Sequence, residues 1–163
     1  MIILGIDPGI ADTGWGVVED KAGKLKCLGY GSVKTKAGVT TGERLVLIAA
    51  ALKKIIKKFG PDLVAIEELF FAKNVKTAMV VGQARGVAVL TIRQAGVDMV
   101  EFKPSQVKQA VSAYGAADKR QVQKMVQLIL GLKEIPRPDD AADALAAAIC
   151  GLNSLKITGL KKA

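Results

Sequence analysis

The chain has 163 residues, 50% hydrophobic and 24% charged, a length and balance suited to one globular domain with its own core. It contains no histidine, which excludes a Ser-His-Asp triad, a Cys-His pair and any His-ligated zinc site. Its 24 basic against 15 acidic residues leave a net charge of +9, which favours a polyanionic partner, nucleic acid above all.

In chain order, residues 2–7 form an apolar run that ends on an acid and stops at Pro8-Gly9. This spacing predicts a buried strand followed by a turn. Thr13 to Glu19 and Leu25 to Val33 follow as strands joined near Gly23, an antiparallel meander. Over 41–59 the period changes: Leu45, Ile48, Ala49, Leu52, Ile55 and Ile56 recur at helical spacing. Thr41 serves as N-cap and Gly60-Pro61 as stop. Asp62 to Leu69 reads as a fourth strand, and 74–95 as a long helix opened by Asn74. A fifth strand covers 97–102. After Pro104 the chain is helical, with a break at Gly115 and a second start at Asp118. A last helix runs from Pro138-Asp139-Asp140 toward Leu152, and the tail from Asn153 is expected to fray.

The order β-β-β-α-β-α-β-α-α implies an α/β fold. Its five-stranded mixed sheet is an antiparallel meander followed by parallel strands, flanked by helices, with the first and fourth strands adjacent at the centre. One domain over 1–155 and a short basic tail over 156–163 are expected. No stretch reaches the ~18 uncharged apolar residues of a membrane span. The first residues lack the basic region of a secretory signal. Cys27 and Cys150 lie far apart in apolar surroundings. A reduced, cytoplasmic protein with no membrane partner fits these features.

Acids in apolar settings stand out in so basic a chain. Asp7 ends Ile-Ile-Leu-Gly-Ile-Asp, Glu67 and Glu68 follow Leu-Val-Ala-Ile, and Asp139, Asp140 and Asp143 open the last helix. A buried carboxylate without a partner is costly, and a divalent cation would satisfy several together. Asp140 and Asp143, three apart, differ by about 60° of rotation and roughly 4.5 Å of rise, so they face one way. Asp139 and Asp143 also share a face, and Asp139 would equally serve as an N-cap. Glu67 and Glu68 point to opposite faces of the sheet, and alternation alone does not choose between them. Oxygen-only donors suit Mg²⁺ or Mn²⁺. A pair of such ions about 3.5–4 Å apart is a recurrent device for cutting phosphodiesters.

Six segments then carry a resemblance. They are Gly-Ile-Asp-Pro-Gly with Thr-Gly-Trp-Gly (5–9, 13–16), Ala-Ile-Glu-Glu-Leu-Phe-Phe-Ala-Lys-Asn (65–74), Gly-Gln-Ala-Arg-Gly (82–86), Pro-Ser-Gln-Val-Lys-Gln (104–109), Ala-Asp-Lys-Arg-Gln-Val (117–122) and Asp-Ala-Ala-Asp-Ala-Leu-Ala (140–146). In this order and over nearly the whole chain, the sequence resembles the RuvC-type Holliday junction resolvases, the crossover junction endodeoxyribonucleases of bacteria. The resemblance implies an RNase H-like fold and a homodimer that resolves four-way DNA junctions by symmetrical, Mg²⁺-dependent phosphodiester hydrolysis in recombination and repair. It implies branch-migration proteins as partners. By charge, the four carboxylates would balance two ions per subunit, with Mn²⁺ able to substitute. Carried over by motif, the catalytic and metal-holding acids fall on Asp7, Glu67, Asp140 and Asp143. The DNA-contacting residues fall on Phe70, Lys108 and Lys119.

The residues themselves add to this. Phe70-Phe71 offers one aromatic ring to stack on an unpaired base, worth about 1–3 kcal/mol. Lys103, Lys108, Lys119, Arg120 and Lys124 gather near two helix starts, where phosphates bind well, and Arg120 joins the expected DNA contacts. Gly82, Ala84 and Gly86 on the 74–95 helix could pack against a second subunit. Other classes are a sugar-kinase-like ATPase, suggested by Asp7-Pro8-Gly9, a related nuclease acting on RNA, and a junction-binding module without catalysis. The single-domain length disfavours the first, and four retained acids disfavour the last.

Overall fold

Alternation along Ile2–Asp7 (β1) sends Ile3 to one side of the sheet and Leu4 and Ile6 to the other, all three fully buried, as a central strand requires. The computed structural model describes residues 1–68 and 75–158. β1 pairs antiparallel with β2 (Asp12–Lys21), and β2 pairs antiparallel with β3 (Lys24–Lys34). On its other edge β1 pairs parallel with β4 (Leu63–Glu67), and β4 with β5 (Asp98–Phe102). The spatial order is β3-β2-β1-β4-β5, so the meander and the adjacency of the first and fourth strands stand as the sequence implied.

The β2–β3 ladder is longer than expected because it closes on a two-residue turn. Ala22 and Gly23 both have positive φ, 55° and 85°, the conformation that lets a tight hairpin follow the twist of its strands. β4 is shorter than the 62–69 reading. Asp62 lies outside it, its amide donating to the Ile2 carbonyl and its Oδ2 accepting from the Ile2 amide, each at 2.8 Å. Glu68 donates its amide to the Phe102 carbonyl at 2.8 Å.

Helices α1 (Thr41–Phe59) and α2 (Val75–Gln94) cover one face, around a core that includes Leu4, Ile6, Val17, Val64 and Ile66. Helices α3 (Pro104–Ser112), α4 (Lys119–Ile129) and α5 (Asp139–Thr158) belong to the other, whose core includes Ile3, Val18, Ala65 and Phe102. α1 spans the expected residues, but its N-cap is Thr40 rather than Thr41. The Thr40 hydroxyl accepts from the Glu43 amide at 3.3 Å while Glu43 accepts from the Thr40 amide at 3.1 Å, the reciprocal capping box. The start expected at Asn74 falls outside the described residues. Ala84 is fully buried within its own subunit, so the small-residue face expected to meet a second copy turns inward at that position. Nor does the chain fray at Asn153. Its Nδ2 donates to the Ala110 carbonyl of α3 at 3.2 Å, and α5 runs on to Thr158.

α5 lies directly on β1 and β2. The residues beneath it are Gly5, Gly14 and Gly16, and the residues of α5 that meet them are Asp140, Ala144, Leu145 and Ala148. A Cβ on Gly5 would collide with the Ala144 carbonyl, and one on Gly16 would come within 2.6 Å of Leu145 Cγ. Glycine in a strand often marks such a close approach of another backbone. Here it sets the height of α5 above the sheet. No helix among the described residues is long and apolar enough to cross a membrane.

Candidate active site

The parallel register that aligns Ile6 with Ile66 brings the last residues of β1 and β4, Asp7 and Glu67, side by side. Two residues earlier on the two strands, Gly5 meets α5 and Ala65 belongs to the core beneath it. By the same alternation Asp7 and Glu67 face α5, and Glu68 does not. α5 begins at Asp139, with Asp139 and Asp140 in its first turn, a placement the helix dipole favours. The backbone of Asp140 rests on Gly14, which is paired across the ladder with Asp7. Asp143 follows one turn later on the same face.

The acids therefore feel one another. Burial, then the charges of Asp143, Glu67 and Asp140, push the Asp7 carboxyl from 3.8 up to about 7, against the opposing pull of Lys119. Glu67 is raised by burial and by Asp143, with Lys108 and Lys119 lowering it. Asp143 is raised chiefly by burial, with Lys119 opposing. A cleft of about 220 Å³ opens beside them, lined by Glu67, Asp143, Lys108 and Lys119.

Lys119 pairs with two of the α5 acids. Its Nζ lies 3.1 Å from Asp143 Oδ2 and 3.7 Å from Asp139 Oδ2. Burial works against its charge, but Asp143, Asp139 and Asp140 raise its pKa overall. Asp139 is also approached by Arg137 at 4.0 Å. Asp139 thus faces the basic side chains, whereas Asp140 faces the sheet and contributes to the field at Asp7.

These groups suit a hard divalent cation: the donors are all oxygen, and their mutual repulsion at Asp7 is what a bound cation would relieve. Among the described residues, no three His, Cys, Asp or Glu side chains are already disposed to hold one ion. Asp143 and Asp139 are paired with Lys119. The thiols take no part. Cys27 and Cys150 are free, and burial pushes Cys150 up to about 11.

Of the expected nucleic-acid contacts, Lys108 and Lys119 line the acidic cleft, and Phe70 lies outside the described residues. Arg120 is elsewhere: it lines a second groove on α4 together with Lys124 and Gln127. Sequence reasoning did not single out Gly14 and Gly5, which let α5 reach the sheet. Their signal was glycine inside a strand pattern.

A family model described as crossover junction endodeoxyribonuclease RuvC matches residues 3–151. A protein of that name from Chloroflexus aggregans is 58% identical over 150 residues, covering 92% of each chain. Another, from Ruminiclostridium cellulolyticum, is 52% identical over 160 residues, 98% of this chain and 96% of its own. Among solved structures, Thermus thermophilus RuvC in complex with a Holliday junction substrate superposes with a TM-score of 0.88 at 38% identity, over 96% of each chain.

Proposed function

The chain belongs to the RuvC family of crossover junction endodeoxyribonucleases, with an RNase H-like fold, and from this premise we propose that the cleft between β1, β4 and α5 resolves four-way DNA junctions. The protein is an endonuclease of recombination and repair, and its family uses divalent metal. The observation that carries the site is the meeting of Asp7, Glu67, Asp140 and Asp143, from three separate elements, beside two lysines.

We assign these four acids to hold Mg²⁺, two ions per subunit by charge balance, with Mn²⁺ able to replace it. When bound, the ions would supply Lewis acidity for attack of water on the scissile phosphodiester. The chain's own part is placement. Asp7 and Glu67 are fixed by paired strand ends, and Asp140 and Asp143 by a helix locked onto glycine. Lys108 and Lys119 offer ammonium groups to the phosphate oxygens of the strand to be cut. Arg120, in its separate groove, would hold a neighbouring stretch of backbone, and Phe70 would stack on a base unpaired at the junction.

Symmetrical resolution needs two such sites related by a two-fold axis, so we read the active form as a homodimer. Support comes from large apolar side chains left exposed on α1 and α2: Val46, Leu47, Met79 and Leu90, the last two 65% and 57% exposed. Partners that deliver and move the junction, and action in the cytoplasm, complete this reading; the two free cysteines suit a reducing compartment.

The test is a synthetic four-way junction incubated with the protein and Mg²⁺. Paired nicks at symmetrical positions, abolished by chelator and absent on linear duplex, are expected. Equal cleavage of duplex, or cleavage that survives chelation, would remove the proposal. An RNA hairpin cut in preference to the junction would favour the related nuclease class instead.

A further inference from the structure

Lys119 makes two ion pairs in the cleft, both with carboxylates of α5, yet its side chain is 53% exposed. It comes from α4, whose first residue it is, behind the capping box of Asp118 and Gln121. It is therefore a long, partly solvated side chain on a firmly anchored backbone, able to leave the acids without disturbing the fold. Lys108 lines the same cleft and acts on Glu67 through its charge.

Resting on the acidic-site reading above, we propose that Lys119 is a tethered competitor for the divalent cation. Its ammonium occupies the charge-balancing position on Asp143 and Asp139, and a cation can claim Asp143 only as Lys119 gives it up. Two consequences follow from the geometry. The acids are held in register before the cation arrives, because the ammonium offsets their repulsion. Cation affinity is set lower than the four carboxylates alone would give, because every binding event breaks the Lys119–Asp143 pair. The same movement frees the ammonium for a phosphate oxygen, so loading of the site and engagement of the strand share one side chain.

The test is binding of Mn²⁺ alone to the DNA-free full chain, followed by the paramagnetic signal of the free ion. Lys119→Met keeps the length and removes the charge. It should tighten Mn²⁺ binding about fivefold to tenfold, the scale of two partly exposed ion pairs. Lys108→Met removes one charge from the same cleft and should tighten it less, while Lys119→Arg should stay near wild type. Unchanged or weaker binding in Lys119→Met, or an effect equal to that of Lys108→Met, would overturn the competitor role while leaving the acidic site standing. Wild-type protein that binds no Mn²⁺, with Asp7→Asn indistinguishable from it, would overturn the site itself and this inference with it.

Discussion

Gly14 of β2 lies under the backbone of Asp140, so that a Cβ on Gly14 would fall onto the Asp140 carbonyl and come 3.0 Å from the Asp140 Cβ. The contact is backbone on backbone, so no side chain can swing aside to make room. Because Gly14 is also the ladder partner of Asp7, it fixes the distance between the carboxylate of the strand and those of the helix.

Gly14→Ala should therefore lift the first turn of α5. Overpacking of this kind costs about 1–3 kcal/mol, read as a lower midpoint in urea unfolding. Junction cleavage should fall further than stability explains, because a displacement of about 1 Å at a reacting centre can cost about a hundredfold. A variant that is less stable yet cuts at the wild-type rate would show that the height of α5 is not critical.

The metal-free protein should lose stability on going from acid to neutral pH through Asp7. Its carboxyl binds a proton more tightly in the folded state, at about 7, than the ordinary 3.8. Its favourable contribution is full below about 3.8 and is lost as pH rises through about 7. Asp7→Asn, which cannot ionise, escapes that loss. In chelator, the variant's stability relative to wild type should grow between pH 5 and pH 8, by on the order of 2–3 kcal/mol at most. A pH-independent difference between the two proteins would contradict the burial and crowding described for Asp7.

Mg²⁺ should raise the melting temperature of wild-type protein, because it binds folded carboxylates that the unfolded chain does not gather. The gain is about 2.7 kcal/mol at a hundredfold excess over its Kd. Asp7→Asn and Asp143→Asn should each blunt the shift. A melting temperature that stays flat through the Mg²⁺ titration would count against cation binding at this cluster.

Much of this arrangement was legible in the residues. The apolar run ending at Asp7 and the period change after Thr41 each have one reading, so the strand order and the pairing of β1 with β4 followed. What was missed depends on partners distant in sequence. Thr40 rather than Thr41 caps α1 because Glu43 lies three residues after it and returns the bond, a signal present in the sequence but passed over. α5 continues through Asn153, whose side chain reaches the Ala110 carbonyl of α3, a long-range contact that local propensity cannot reveal. Ala84 turned inward because a small residue fits a helix–helix contact within one subunit as well as between two. The family motif pointed to Glu67 rather than Glu68, but the physical reason needed Ala65 to be seen facing α5, since alternation gives relative faces and not absolute ones. Arg120 follows Lys119 directly, yet one step along a helix turns a side chain by about 100°, which sends it to another groove.

Asp139 and Asp140 are adjacent in sequence but differ in surroundings. Asp139 is held by Lys119 and Arg137 at 3.7 and 4.0 Å, and its side chain is 49% exposed. Asp140 rests against Gly14 and is among the charges that raise Asp7, whereas Asp139 is not. Asp140→Asn should therefore cut Mg²⁺-dependent junction cleavage by about a hundredfold or more and reduce the stabilisation by Mg²⁺. Asp139→Asn removes only partly exposed ion pairs, each worth about 0–1 kcal/mol, and should leave cleavage within about threefold of wild type. Removing that carboxylate should also loosen Lys119, so any change in Mn²⁺ affinity should be a modest tightening. Measuring both variants on one junction, with binding followed separately by gel shift, separates a lost ligand from a lost DNA contact. If Asp139→Asn proved the more damaging of the two, the assignment of Asp140 to the cation site would have to pass to its neighbour.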